Sequence, residues 1–270
     1  MDKKFAESLA FIISKTSFKP RTGIILGTGL GNLADEIDIH IEIEYEDIPH
    51  FPVSTVEGHQ GKLIFGKLNN RPVVAMKGRF HYYEGYSMQE VTYPVRIMKL
   101  LGIDEIFISN AAGGVNPDFN IGDLMLIKDH IDFFPENPLR GKNLADLGRR
   151  FPDMSQAYDT DLIDIVEKEA SKLNILVHKG VYLGNPGPSF ETPAEYIHYR
   201  SIGADSIGMS TVPEVIVARH MNLRVCALSV ITNIAVPGNF DINSHADVQI
   251  AAAKAQRNLA RLLTAVLGRL

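Results

Sequence analysis

The chain has 270 residues, of which 45% are hydrophobic and 22% charged, and it carries a formal net charge of −5. This is the balance of a globular protein long enough to bury a core without staples, and its acidity does not favour a nucleic-acid partner. The lone cysteine, Cys226, excludes an internal disulfide and fits a reducing compartment; the apolar patch Leu9–Ile13 is too short for a signal peptide, and no run reaches the roughly 20 apolar residues of a membrane helix.

No repeat, low-complexity tract or Ser/Gly linker divides the chain, so a single domain over residues 1–270 is expected. Short apolar strands alternate with amphipathic helices, which predicts α/β architecture. Strands are expected at 23–27, 62–68, 72–77, 105–109, 123–128, 178–183, 204–208 and 224–231. From Ile37 to Glu46, isoleucine alternates with Asp, His or Glu, the pattern of a half-buried strand with an acidic, solvated face. Ser87 with Glu90, Thr192 with Glu195 and Thr211 with Glu214 each match a capping box. Pro94 predicts a kink or late start in a helix over 88–101, while Pro193 suits a first helical turn and Gly203 a helix end. The long, polar, Pro- and Gly-punctuated segment Phe134–Asp159 reads as a functional, interfacial or disordered loop. Leu162, Ile165, Val166 and Leu173 mark a helix. In the last helix, Leu259, Leu262, Leu263, Val266, Leu267 and Leu270 form a stripe that is mostly core.

Polar groups follow the strands one after another. Gly27-Thr28-Gly29-Leu30-Gly31 supplies bare N–H groups and a hydroxyl, either as an anion nest at a helix N-terminus or as a tight turn. It is not the dinucleotide-binding pattern, because Asn32 stands where the third glycine belongs. Arg79 and His81, two residues apart, share a face on an extended segment. Arg79 can fork onto two oxygens, His81 can donate to a third, and Glu84 can hold the His81 ring. His59, within Glu57-Gly58-His59-Gln60-Gly61, is a loop histidine with a structural alternative. Ser109–Gly114 reads as a small-residue loop after a buried strand, where a ligand can touch backbone such as that of Ala111.

Further along, Phe190 and Glu191 end a stiff loop. A carboxylate beside a flat ring suits a planar ligand with N–H groups, although a carboxylate is also favourable at a helix N-terminus. Ser210 stands beside Met209 at the opening of a helix. Asn233 follows the apolar strand that ends at Ile231 and needs partners if buried. His245 follows Ser244, an N-cap of the last helix. Each residue has a plain structural reading, but together they set polar groups facing one crevice. The nine histidines show no zinc spacing, and Asp129-His130-x-Asp132 is too thin for a metal site. No nucleophile elbow or Walker loop is present.

These residues resemble the trimeric, low-molecular-mass class of purine nucleoside phosphorylases. The resemblance runs from Ile24 to His245 and is nearly verbatim in Asn110-Ala111-Ala112-Gly113-Gly114 and Met209-Ser210-Thr211-Val212-Pro213-Glu214-Val215. It implies a single α/β domain: a mixed, twisted sheet with a barrel-like core flanked by helices. It also implies phosphorolysis of inosine, guanosine and their 2′-deoxy forms in a cytoplasmic homotrimer. Orthophosphate would be a co-substrate, with no cofactor, metal, nucleic acid or membrane involved.

Carried over by motif, Thr28, His59, Arg79, His81, Ser210 and the backbone N–H of Ala111 would hold phosphate, with Thr28 standing where the family often has serine. Tyr83, Tyr182, Met209 and His245 would meet the sugar, and Phe190, Glu191 and Asn233 the base. Asn233, His81 and Glu191 would carry the catalysis. Leu147 stands where a neighbouring subunit often supplies an aromatic residue, with Phe151 as the alternative. A methylthioadenosine phosphorylase is the nearest rival; Glu191, Asn233 and His245 count against it. Asn32 counts against a nicotinamide-dinucleotide dehydrogenase, and the presence of both Arg79 and His81 counts against a silent purine-binding protein.

Overall fold

A computed structural model describes residues 2–27, 31–53, 61–236, 239–240 and 245–270, excluding the side chains of Asn32, Asn239, Phe240 and His245. Thr28, Glu57, His59 and Ser244 therefore lie outside the described residues.

Helix α1 (Lys3–Lys15) starts at Asp2, whose side chain accepts from the Lys4 N–H, and it buries Phe5, Ser8 and Ile12. Strand β1 (Thr22–Leu26) is buried throughout. A six-residue 3-10 turn, Gly31–Glu36, stands where the glycine turn was expected to open a helix. The acidic strand β2 (Asp38–Glu44) forms at the sheet edge, where Ile43 is buried but Ile39 is left 45% exposed. Strands β3 (Lys62–Leu68) and β4 (Arg71–Lys77) follow as an antiparallel pair. Pro94 has the expected effect: α2 (Met88–Val91) stops at Thr92, and α3 (Tyr93–Leu100) starts anew with the proline in its first turn.

Strand β5 (Glu105–Gly114) runs five residues beyond the expected 105–109, so the small-residue stretch is strand rather than loop. After β6 (Leu124–Asp132), the irregular segment tucks Leu139, Leu144, Leu147 and Met154 against the core before α4 (Thr160–Leu173). Then come β7 (Val177–Gly184), α5 (Pro193–Ser201), β8 (Ser206–Gly208) and α6 (Val212–His220). Strand β9 (Arg224–Val236) also overruns its expected end at 231, and β10 (Asn239–Phe240) folds back on it. Helix α7 (His245–Leu267) buries Leu259, Leu262, Leu263, Val266 and Leu267 in the core. No helix among the described residues is long and apolar enough to cross a membrane.

The ten strands among the described residues join one mixed sheet in the order β10-β9-β6-β7-β8-β5-β1-β4-β3-β2, and a further β5–β9 pairing closes β9, β6, β7, β8 and β5 into a ring. The expected α/β fold with a barrel-like core is thus present. The strands β1, β4, β3 and β2 extend from the ring as a flange. Strands β1, β4 and β5 are mutually parallel and start together. At that end the Glu105 carboxylate accepts from the Thr22 hydroxyl and from Arg71 Nη2 at 2.6 Å. Arg71 also donates to Thr22 Oγ1 at 3.0 Å and to the Leu270 carbonyl at 2.7 Å.

This pin at the amino ends aligns the carboxyl ends, where Gly27, Arg79 and Ala111 emerge. Removing the carboxylate while leaving Arg71, 19% exposed, without its counter-charge costs roughly 2–4 kcal/mol. Glu105→Leu should therefore lower the urea midpoint correspondingly with an unchanged denaturant slope. A loss under about 0.5 kcal/mol, the range of an ordinary surface substitution, would show that the pin is not needed.

Candidate active site

Strand β5 pairs with β1 only as far as Ile108 and with β8 only from Gly113. Between those points Ser109–Ala112 pair with β9 alone among the described residues. The gap opens the sheet and turns one edge of this backbone, including Ala111, toward a cavity of ≈ 330 Å³. Gly27 sits at the mouth of the gap, where a Cβ would lie 2.7 Å from the Ser109 carbonyl oxygen. Only glycine lets β1 end that close to β5.

The cavity wall includes Arg79, His81, Tyr83, Ala111, Phe190, Glu191, Met209, Ser210 and Asn233. Nine of the expected site residues thus meet in one place. His245 opens α7 three residues before Val248, which also lines the cavity. Tyr182 does not line it: the residue is fully buried, and its hydroxyl accepts from the Ser210 N–H at 3.3 Å. A Cβ on Gly208 would come within 2.4 Å of that hydroxyl, so the glycine makes room for it. Tyr182 therefore supports Ser210 from behind. Leu147 packs against the chain's own core, whereas Phe151 on the same loop is 85% exposed. A larger cavity of ≈ 660 Å³ lies beside α1 and α3, lined by Lys4, Phe5, Arg96 and His220 among others. It gathers none of the groups at the strand ends, so the smaller cavity is the candidate site.

One polar cluster is built on Arg79, which is only 1% exposed. Its Nε lies 3.1 Å from the buried Glu214 carboxylate, and its Nη1 donates to Ser210 Oγ at 2.8 Å. Glu214 is thereby taken from the capping box expected with Thr211, and Thr211 makes no side-chain cap. Thr211 instead has φ 71° and ψ −53°, with the Val212 N–H bonded to the Ser210 carbonyl at 2.8 Å. This is a γ-turn of the rare positive-φ kind. Such strain costs on the order of 1–3 kcal/mol and persists only where the surroundings fix it. Here Asn110 Nδ2 donates to Thr211 Oγ1 at 2.9 Å.

His81 stacks on Tyr83 with ring centroids 4.7 Å apart. The Glu84 carboxylate accepts from the His81 N–H at 2.8 Å and lies 3.0 Å from its Nδ1. A carboxylate only accepts, so Nδ1 carries a proton and the neutral ring presents a lone pair at Nε2. His81 can donate from Nε2 only as imidazolium. Burial lowers its pKa; the Glu84 bond raises it and the Arg79 charge lowers it. Burial also pushes the Tyr83 phenol up to about 12.

A second cluster holds Glu191 and Asn233. Asn185 donates to Glu191 Oε1 at 2.5 Å. Asn233 lies within β9 just past a bulge: Ala112 faces Ile231, but Gly113 faces Asn233. The extra residue, Thr232, donates to the Ala112 carbonyl at 3.2 Å and resets which way Asn233 points. Tyr196, on α5, lines the same cavity as Glu191 and Asn233, and burial, with the nearby Glu191 charge, pushes its phenol pKa up. Sequence reasoning missed Tyr196, since a tyrosine on a capped helix reads as core; it also missed Asn110 and the ion-pair role of Glu214. Among the described residues no group of three or more His, Cys, Asp or Glu could hold a metal ion. Cys226 is fully buried, which pushes its thiol pKa up.

The phosphorylase superfamily profile matches residues 21–268. Purine nucleoside phosphorylase 1 of Bacillus subtilis is 52% identical over 266 residues, covering 98% of each chain. The rat purine nucleoside phosphorylase is 45% identical over 267 residues, covering 96% of this chain and 92% of the rat protein. Purine nucleoside phosphorylase of Schistosoma mansoni, solved with adenosine, superposes with a TM-score of 0.93 at 42% identity, over 98% of this chain and 96% of that one. Its isoform 2, solved with cytosine and ribose-1-phosphate, gives 0.94 at 42% identity, over 99% and 96%. The fold is that of the phosphorylase superfamily. Within it, the chain belongs to the purine nucleoside phosphorylases, which are pentosyltransferases.

His81 should titrate below 6.5 in the free protein, followed by NMR of its ring, and Glu84→Gln should move it lower still. The folded value is the depressed one, so the ring's contribution to stability is present above 6.5 and is lost as pH falls through the folded value. A free-protein value at or above 6.5 would contradict this arrangement.

Proposed function

We propose that this chain reversibly phosphorolyses inosine, guanosine and their 2′-deoxy forms, giving the free purine and (deoxy)ribose 1-phosphate. The observation that carries the reading is the convergence, in one cavity, of the Arg79–Ser210 cluster with Glu191 and Asn233. An oxyanion suits the first and the edge of a purine the second.

In this reading Arg79, Ser210 and the N–H of Ala111 hold orthophosphate, with Thr28 and His59 as further contacts. Glu214 cancels the charge of Arg79, so the anion gains most if His81 takes up a proton as it binds. Tyr83 and Met209 line the pentose, and His245 serves its 5′-hydroxyl. Phe190, half exposed at the rim, covers the base. Glu191 accepts from the purine N1–H, and Asn233 donates to N7.

Breaking the glycosidic bond leaves positive charge on the sugar and negative charge on the base. Phosphate stabilises the first and attacks C1′ from the face opposite the base, with inversion. Asn233 stabilises the second as it develops. Holding both reactants together supplies the proximity term. Adenine presents a lone pair at N1, which faces the Glu191 carboxylate unfavourably. Such a buried mismatch discriminates by roughly 10⁴-fold. The reaction as written draws on these side chains and on phosphate. The same reading makes the protein one cytoplasmic domain acting as a homotrimer, with Phe151 rather than Leu147 offered to the neighbouring subunit.

Hypoxanthine release from inosine should require added orthophosphate, and adenosine should be a poor substrate. Release without phosphate would mean hydrolysis. Turnover of methylthioadenosine alone would mean the rival specificity. Asn233→Ala should lower kcat by roughly 10²–10³-fold while the phosphate KM changes little. Unchanged turnover would remove Asn233 from the reaction. Phosphate binding near neutral pH should also take up protons, seen as a dependence of calorimetric heat on buffer ionisation; buffer-independent heats would remove His81 from the anion site.

A further inference from the structure

The loop between β7 and α5 holds a residue that the reaction as written above does not use. Asn185 is 6% exposed and does not line the cavity, whereas Glu191 does. Its backbone N–H donates to the Gly208 carbonyl at 2.9 Å, which ties it to the end of β8, just ahead of Met209 and Ser210. Its side-chain amide makes two contacts. Nδ2 donates to Glu191 Oε1 at 2.5 Å, and Oδ1 accepts from the Gly187 N–H at 3.1 Å. These contacts set which way the amide points. Reversed, its oxygen would face a carboxylate and its NH2 group an N–H, so both contacts would turn repulsive.

The turn that carries the amide is itself seated. Gly187 has φ 60°, and a Cβ there would collide with Sδ of Met209, another residue of the cavity wall. Glu191, by contrast, stands on irregular chain. Helix α5 is capped by Thr192, with Glu195 as the reciprocal partner, so the helix end does not take up the Glu191 carboxylate. A glutamate has three side-chain torsions, and ordering them at the moment of binding weakens a contact. The Asn185 bond orders them beforehand.

We propose that Asn185 is a positioning residue for base recognition: its amide clamps one oxygen of Glu191 and leaves the other to accept the N1–H of a 6-oxopurine. The proposal rests on the assignment of Glu191 to the base. A carboxylate has about four acceptor sites, so the clamp does not exhaust it. Held between two N–H donors, the carboxylate has no proton to offer the lone pair at adenine N1.

Asn185→Asp and Asn185→Ala separate the clamp from the loop. Aspartate keeps an acceptor for the Gly187 N–H but sets a second carboxylate against Glu191. Alanine loses both contacts and adds no charge. If Asn185 acts through Glu191, Asn185→Asp is the more damaging. Its kcat/KM for inosine should fall roughly 10- to 100-fold, the worth of a hydrogen bond to a charged group, and Asn185→Ala should lose less. Purine riboside has a lone pair at N1 and gains nothing from Glu191. Its kcat/KM should change less than about threefold in Asn185→Ala, and the phosphate KM should stay within the same margin in both variants. A loss for Asn185→Ala that equals or exceeds that for Asn185→Asp would overturn the proposal, because an amide that only closes the loop gives that order. Equal losses on inosine and purine riboside, or no loss on inosine, would overturn it too. Should Asn185→Asp not fold, the contrast between the two substrates in Asn185→Ala decides the question.

The double variant Asn185→Asp/Glu191→Gln restores a donor and an acceptor with their polarity exchanged. Its loss on inosine should be smaller than the product of the two single losses by roughly tenfold or more, and a simple product would mean that the two side chains do not act together. Glu191→Gln alone separates the two levels. If it leaves inosine turnover unchanged, the assignment of Glu191 to the base fails, and the proposal with it. If it impairs turnover while Asn185→Ala is at least as damaging as Asn185→Asp, only the role of Asn185 fails.

Discussion

A guanidinium that is 99% removed from solvent must be paired, and much of the site follows from how Arg79 is paired. The Glu214 carboxylate lies 3.1 Å from its Nε. Burying either charge alone would cost several kcal/mol. To reach Arg79, Glu214 has to leave the capping position at the start of α6, so the chain enters that helix without a side-chain cap. The entry is instead the strained turn at Thr211, held by Asn110 from β5. That turn presents Ser210 to Nη1 of Arg79 and brings its N–H to Tyr182. One buried ion pair thus fixes an arginine, a hydroxyl and a backbone segment around a common point. Because the pair is neutral overall, an anion meets directed donors there rather than bulk positive charge.

The second constraint is where the sheet stops pairing. Strands β1 and β8 occupy the same side of β5 but do not meet, and the open stretch Ser109–Ala112 is a break in an otherwise hydrogen-bonded wall. Across β5, the long parallel pairing with β9 closes the barrel and carries a bulge at Thr232. The same two strands thus present a bare backbone edge and, a few residues on, a side-chain amide. Their register fixes the spacing between the Arg79–Ser210 cluster and the residues Glu191 and Asn233. A packed barrel wall holds that spacing more rigidly than loops would.

Much of this was legible in the sequence. The apolar strands, the Ser87 and Thr192 capping boxes, the break at Pro94 and the buried leucine stripe of the last helix are local patterns, and the fold keeps them. The misreadings have one physical cause, which is that tertiary partners override local preference. Asn110 to Gly114 are poor strand formers and read as a loop, yet pairing with β9 makes them strand. Thr211 and Glu214 match a capping box, but a buried arginine elsewhere in the chain claims the carboxylate. Tyr182 and Tyr196 are both buried tyrosines on regular elements. Nothing in the sequence shows that one faces the back of Ser210 and the other the cavity. Leu147 and Phe151 lie four residues apart, and only packing separates the inward residue from the exposed one.

The central claim is that an anion held beside Arg79 attacks the sugar, and isotope transfer tests it most directly. Inosine would be turned over with ¹⁸O-labelled orthophosphate in unlabelled water, and the pentose product examined for label at the C1 oxygen. The account predicts an α-pentose 1-phosphate whose C1–O bond carries phosphate oxygen. Unlabelled free pentose, with its C1 oxygen drawn from water, would contradict it.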